Sequence, residues 1–166
     1  EDMISQNVDI LLVAANQADT LMNPLTTAAE KGIKIVMVDT DAPDFTEKVT
    51  YIGTDNYEAG YEGAKEFGTR LGGGKNVVIL RGKLGDPNHE KRTEGLIAGL
   101  EETGNTVLET QDANCESDKA ANAMEAFMTK YPDQIDAVMV TSDSMAVGAA
   151  QAIKAAGLGD RIQVCG

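Results

Sequence analysis

The 166 residues carry 27 acidic against 14 basic side chains, and a formal net charge of −13 opposes binding to a phosphate backbone or an anionic membrane surface. With 42% hydrophobic residues the chain can bury a core, as one domain or two small lobes, and no apolar run approaches the roughly 18 residues that span a bilayer. The two cysteines, Cys115 and Cys165, are too few for a disulfide framework and read as reduced, mostly buried thiols.

In chain order, Glu1 to Gln6 reads as a short helix, and Ile10 to Ala14 is apolar on both faces, the pattern of a central parallel strand. After Asn16 and Gln17, the spacing of Leu21, Met22, Leu25, Ala28 and Ala29 predicts a helix closed by a left-handed Gly32. Pro24 is expected in an early turn, where its missing amide costs least. Ile33 to Val38 forms a second strand ending at Asp39. The loop from Thr40 to Glu47 then leads to a third strand, which begins at Lys48 and runs into a helix start capped by Asp55 or Asn56. That helix, Asn56 to Leu71, is expected to bury Ala59, Ala64, Phe67 and Leu71. Gly60, Gly63 and Gly68 each weaken it by up to ~1 kcal/mol relative to alanine, which close packing against a sheet would explain.

Three further strand-loop-helix units follow: Asn76 to Leu80 with His89 to Glu102, Thr106 to Thr110 with Ser117 to Lys130, and Ala137 to Thr141 with Ser144 to Ala156. A last strand begins at Ile162. Gly104 and Gly157 close two of these helices and Pro132 follows the third. The alternation predicts an α/β fold with doubly wound parallel sheets. The first strand lacks a preceding strand and helix, and the last lacks a covering helix. The sequence therefore reads as a fragment incomplete at both ends, with an unfilled sheet position beside Ile10 to Ala14. Ligands of such sheets bind at the carboxyl ends of strands, here Ala14 to Gln17, Asp39 to Phe45, Arg81 to Glu90, Asp112 to Glu116 and Thr141 to Ser144.

The stretch Gly53-Thr54-Asp55-Asn56, with Gly60 four residues after Asn56, resembles the strand-to-helix crossing of periplasmic sugar-binding proteins of the ribose-binding type. Arg92 before Glu94-Gly95-Leu96 resembles that family's Arg-x-x-Gly-apolar pattern, and Ser142-Asp143 with Ala146 and Gly148 resembles its Asn-Asp-x-x-Ala-x-Gly. The resemblance implies a type I periplasmic binding protein fold of two Rossmann-like lobes, with residues 1–54 in the amino-terminal lobe and 55–166 in the carboxyl-terminal one. It also implies a solute-binding component of an ABC-type sugar transporter that closes on a small neutral sugar or polyol. The protein is then expected to be monomeric, to be periplasmic or anchored outside the cell, and to hand its ligand to membrane subunits without chemistry or direct contact with nucleic acid.

The same resemblance points to ligand-contacting positions. Asp39 at its strand end can accept hydrogen bonds from neighbouring sugar hydroxyls, whereas Thr40 stands where the family often has arginine. Glu90 stands where ribose binders have arginine, Cys115 lies where a stacking aromatic is common, and Ser142 replaces a ligand-binding asparagine. Glu90 and its neighbour His89 read equally well as ligand groups or as loop polarity. Arg92 reads as structural, and Asp143 as the cap of the next helix.

Other chemistries fare poorly. Gly72-Gly73-Gly74-Lys75 imitates the end of a P-loop, but it follows a helix and precedes a strand. His89-Glu90 has no second histidine four residues after the first, and Asp39, Asp41 and Asp44 lack the glycine and glutamate of an EF-hand, so neither zinc nor calcium is expected. No nucleophile sits in a recognisable elbow and the sole histidine has no evident partner, so neither catalysis nor a cofactor is expected. The competing readings are the effector-binding half of a lactose-repressor-type regulator, which shares this fold, and, less favoured, an α/β enzyme.

Overall fold

Short apolar runs alternate with segments of helical period along the whole chain, and each run becomes a strand. The computed structural model describes residues 2–15 and 18–166, so Asn16 and Gln17 of the first strand-end loop lie outside the described residues. The first of two units, residues 1–54, contains α1 (Asp2–Ser5), β1 (Ile10–Val13), α2 (Ala18–Glu30), β2 (Lys34–Val38) and β3 (Thr50–Ile52). The second, residues 55–166, contains α3 (Asn56–Leu71), β4 (Asn76–Arg81), α4 (Pro87–Glu102), β5 (Thr106–Asp112), α5 (Ser117–Lys130), β6 (Ala137–Val140), α6 (Asp143–Ala155) and β7 (Gln163–Cys165).

All strand pairs are parallel: β1-β2-β3 in the first unit and β5-β4-β6-β7 in the second. The second sheet is doubly wound. Val77 and Ile79 of β4 pack into one core with Ala64 of α3 and Leu96 and Leu100 of α4, while Val78 and Leu80 pack into another with Met124 and Phe127 of α5 and Met145 and Ile153 of α6. Cover on both faces is why this strand reads as an unbroken apolar run.

In the first unit Leu11, Ile35 and Met37 pack against Leu25 and Ala28 of α2. Among the described residues β1 is an edge strand, with Ile10 and Leu12 56% and 68% exposed, which agrees with the unfilled position expected beside Ile10 to Ala14 and not with the central place its two apolar faces suggest. Pro24 lies in the interior of α2 and not in its first turn.

The cap of α3 is Asp55, whose side chain accepts the Glu58 amide at 3.0 Å. The buried face of this helix is Asn56, Gly60, Ala64 and Gly68, whereas Ala59 is exposed. Gly60 does not face a sheet: a Cβ there would lie 2.3 Å from the Arg92 carbonyl oxygen, and one at Gly95 would lie 2.1 Å from that of Tyr57. Two helix backbones, α3 and α4, therefore touch where neither carries a side chain.

Candidate functional site

The chain leaves β4 through α4 to β5 on one side and returns through α5 to β6 on the other, so the ends of β4 and β6 flank the switch point of the second sheet. There the Gly82 amide donates to Thr141 Oγ1 at 3.0 Å, and the Thr141 amide donates to the Leu80 carbonyl at 3.1 Å. Helix α4 starts beside them, capped by Asp86, whose carboxylate accepts the Asn88 and His89 amides, with Pro87 in the first turn. This start sets His89 against the backbone of Gly82, where a Cβ would come within 2.5 Å of the imidazole ring.

His89 links two loops. Its Nδ1 lies 2.9 Å from Thr141 Oγ1 and its Nε2 lies 3.1 Å from Cys115 Sγ. Burial pushes its pKa below the usual imidazole value, Asp86 opposes that shift, and Arg92 adds to it. Cys115 and the preceding Asn114 both have left-handed backbones, with φ of 59° and 54°, in the turn between β5 and α5. The Cys115 carbonyl accepts Ser144 Oγ at 3.0 Å, and Ser142 Oγ lies 3.3 Å from Ser144 Oγ. Four of the six sequence-marked positions thus lie at the strand-end side of one unit, His89 and Glu90 in the opening turn of α4 and Cys115 and Ser142 in the turns before α5 and α6. The Glu90 carboxylate accepts the Gly85 amide at 2.9 Å, which ties it to its own loop.

Asp39 and Thr40 end β2 in the first unit. Asp39 is exposed with a left-handed φ of 61°, its amide donating to Ile52 and its carbonyl accepting Tyr51 Oη. Thr40 is buried, and its Oγ1 donates to Asp39 Oδ2 at 3.2 Å. Asp41 is occupied by Lys48, with Nζ at 2.8 Å from one carboxylate oxygen, and it accepts the Ala42 amide.

Several sequence readings change here. Cys115 is exposed and not buried. The histidine read as partnerless has both Thr141 and Cys115. Asp143 is the first residue of α6, and the capping position is Ser142, which makes no side-chain cap bond. Arg92 is structural, as read: its guanidinium donates to the Thr141 carbonyl at 2.8 Å and to Asn56 Oδ1 at 2.6 Å. Thr141 and Ser144 lie in a loop the strand-end rule marks, but nothing in their local sequence distinguishes their hydroxyls from those of Ser142 and its neighbours.

Hydroxyl, imidazole, thiol and carboxylate groups at a sheet switch point form a surface suited to a small polar ligand, which makes this an α/β binding domain in class. The chain belongs to the periplasmic binding protein family, whose domain model it matches over residues 1–166. It is 34% identical over 95% of its length to the xylitol-binding protein of Mycolicibacterium smegmatis, covering 45% of that protein. It is 29% identical over 96% of its length to the ribose import binding protein of Escherichia coli, covering 53% of it. Among solved structures it superimposes with a TM-score of 0.88 and 31% identity on an ABC transporter periplasmic solute-binding protein from Actinobacillus succinogenes with bound D-allose, across 98% of this chain and 60% of that one. The chain therefore spans about half the length of the relatives it matches.

Proposed function

We propose that this chain is part of a solute-binding protein serving an ABC-type importer, with a small neutral sugar or polyol as its ligand. The observation that carries the reading is the polar cluster at the β4/β6 switch point, in a chain whose relatives include binding proteins for xylitol and ribose. Glu90, Ser142, Cys115 and His89 supply ligand contacts in the second unit; in the first, the exposed Asp39 is the strand-end group offered to a ligand, whereas Thr40, read as a contact, is buried and donates to Asp39. Asp39 has a left-handed backbone, a conformation that places a short polar side chain at a strand end at some cost in strain.

The role involves binding and delivery to membrane subunits outside the cytoplasm, with no catalytic step and no cofactor, by a monomer. The net charge of −13 argues against a nucleic-acid partner, and no relative named above is a regulator. Among the described residues no helix is long and apolar enough to cross a membrane.

Titration calorimetry of the full-length protein with ribose, allose, xylitol and myo-inositol tests the reading. Micromolar binding, worth about −8 kcal/mol, is expected for at least one of them. Heats absent across the panel, or turnover of a bound sugar, would reject it.

A further inference from the structure

We propose that Cys115 is a covalent modification site, a thiol set up by His89 and Thr141 for exchange with small disulfides. The reactivity stands on the geometry alone. Its consequence for solute binding rests on the function proposed above.

Cys115 is exposed, so a reagent reaches it, and it is held in place by its surroundings. The turn is pinned by the Ala113 amide on the Arg81 carbonyl at 2.8 Å, the Glu116 amide on the Ala113 carbonyl at 2.9 Å, and Ser144 Oγ on the Cys115 carbonyl at 3.0 Å. The sulfur therefore stays 3.1 Å from His89 Nε2 without a mobile loop having to find it.

The two contacts of the His89 ring fit one tautomer well. Thr141 is 2% exposed and its oxygen already accepts the Gly82 amide; its hydroxyl proton has His89 Nδ1 as an acceptor 2.9 Å away, in the tautomer this proposal uses. The ring proton then sits on Nε2 and points at the sulfur. An N–H donor to sulfur is held more strongly once the sulfur is charged, and the charged form is the one that attacks a disulfide.

In the exchange, the Cys115 thiolate attacks one sulfur of R–S–S–R. A new S–S bond forms at Cys115 as the reagent's S–S bond breaks, and the departing R–S⁻ keeps the bonding pair and takes a proton from water. Cys115 ends as a mixed disulfide, and one equivalent of thiol is released. The adduct stands beside Ser144 and His89, in the space where the proposed ligand would be held.

The other thiol is an internal control. Cys165 is half-buried against the α3/α4 core, and burial pushes its pKa up, with Arg70 opposing.

The experiment uses full-length protein and 4,4′-dithiodipyridine, following release of thiopyridone. Cys165→Ser should keep a fast phase, and Cys115→Ser should lose it, leaving a reaction at least tenfold slower. His89→Gln in the Cys165→Ser background should slow the phase about tenfold, with circular dichroism confirming the fold. Equal rates at the two cysteines overturn the proposal, as does a folded His89→Gln variant that reacts at the parental rate. Binding separates the two readings. In Cys165→Ser protein modified at Cys115, sugar binding should fall at least tenfold and return on reduction with dithiothreitol. A thiol that reacts rapidly while ribose or xylitol binding is unchanged removes this cluster from the ligand site and leaves the modification site standing.

Discussion

Arg92 donates from its guanidinium to the carbonyl oxygen of Thr141 at 2.8 Å, so the helix that carries His89 is fastened to the strand end that carries the hydroxyl His89 touches. The second arm of the guanidinium holds Asn56 Oδ1, and Asn56 Nδ2 in turn donates to Asn88 at 3.0 Å. Hydrogen bonds to a charged group contribute about 1.5–3 kcal/mol each. Arg92→Ala should cost about 2 kcal/mol in urea unfolding, and Arg92→Lys should recover less than half, because a compact ammonium lacks the planar two-armed spread by which the guanidinium reaches both the Thr141 carbonyl and the Asn56 amide oxygen. A lysine variant as stable as wild type would mean that charge alone matters here.

The α3/α4 crossing makes a contrast within one helix. Gly60→Ala would set a methyl 2.3 Å from the Arg92 carbonyl oxygen, whereas Gly63 is exposed with nothing within 4 Å of a Cβ. Gly63→Ala should stabilise by about 0.5–1 kcal/mol through helix propensity, and Gly60→Ala should destabilise by about 1–3 kcal/mol by forcing two backbones apart. Thermal melts of the two variants should move in opposite directions. Destabilisation by both would point to a role for Gly63 outside helix propensity.

Local signals explain which parts of this fold are legible from sequence. Asn56 to Leu71 and Ser117 to Lys130 are bounded as their periodicity predicts, because Asp55 and Gly72 close the first and Pro132 follows the second. The edge position of β1 is not local: Ile10 and Leu12 look like core until the neighbouring strands are known. The reason for Gly60 is hidden for the same cause, since its partner is the backbone of residue 92. At the site, the strand-end rule finds the loops but cannot find the pairing of His89 with Cys115, which are 26 residues apart and meet only through the β4-β5 register and a left-handed turn. No composition or spacing encodes that contact.

His89 should make stability depend on pH. Burial lowers its folded pKa below the unfolded value of about 6.5, so the unfolded state binds more protons in the window between the two values. The resulting stabilisation is fully present above the unfolded value and is lost as pH falls through the folded one. Urea midpoints measured from pH 7.5 down to 5 should drop more steeply for wild type than for His89→Gln. Parallel pH profiles would contradict a half-buried, neutral imidazole.

The last prediction concerns ligand charge. By resemblance to ribose binders, the proposed ligand contacts include Glu90 in the second unit at a position where arginine is expected, and in the first unit Thr40 at another. Arg92 is committed to Thr141 and Asn56, and Arg81, near enough to Glu90 for its guanidinium to be stabilised by that charge, is paired with Asp112. Glu90 spends one carboxylate oxygen on the Gly85 amide, at the start of α4 beside the loops that would face a ligand. Two like unit charges about 6 Å apart at an effective dielectric of about 20 repel by roughly 3 kcal/mol, a discrimination on the order of a hundredfold. Calorimetry should therefore show ribose or a polyol, or a sugar bearing an amine, binding at least tenfold more tightly than ribose 5-phosphate. Glu90→Gln should narrow that gap by removing the charge while keeping an oxygen for the Gly85 amide. Tight binding of the phosphate in wild type, left unchanged by Glu90→Gln, would place the ligand away from Glu90 and require the contacts of α4 to be assigned again.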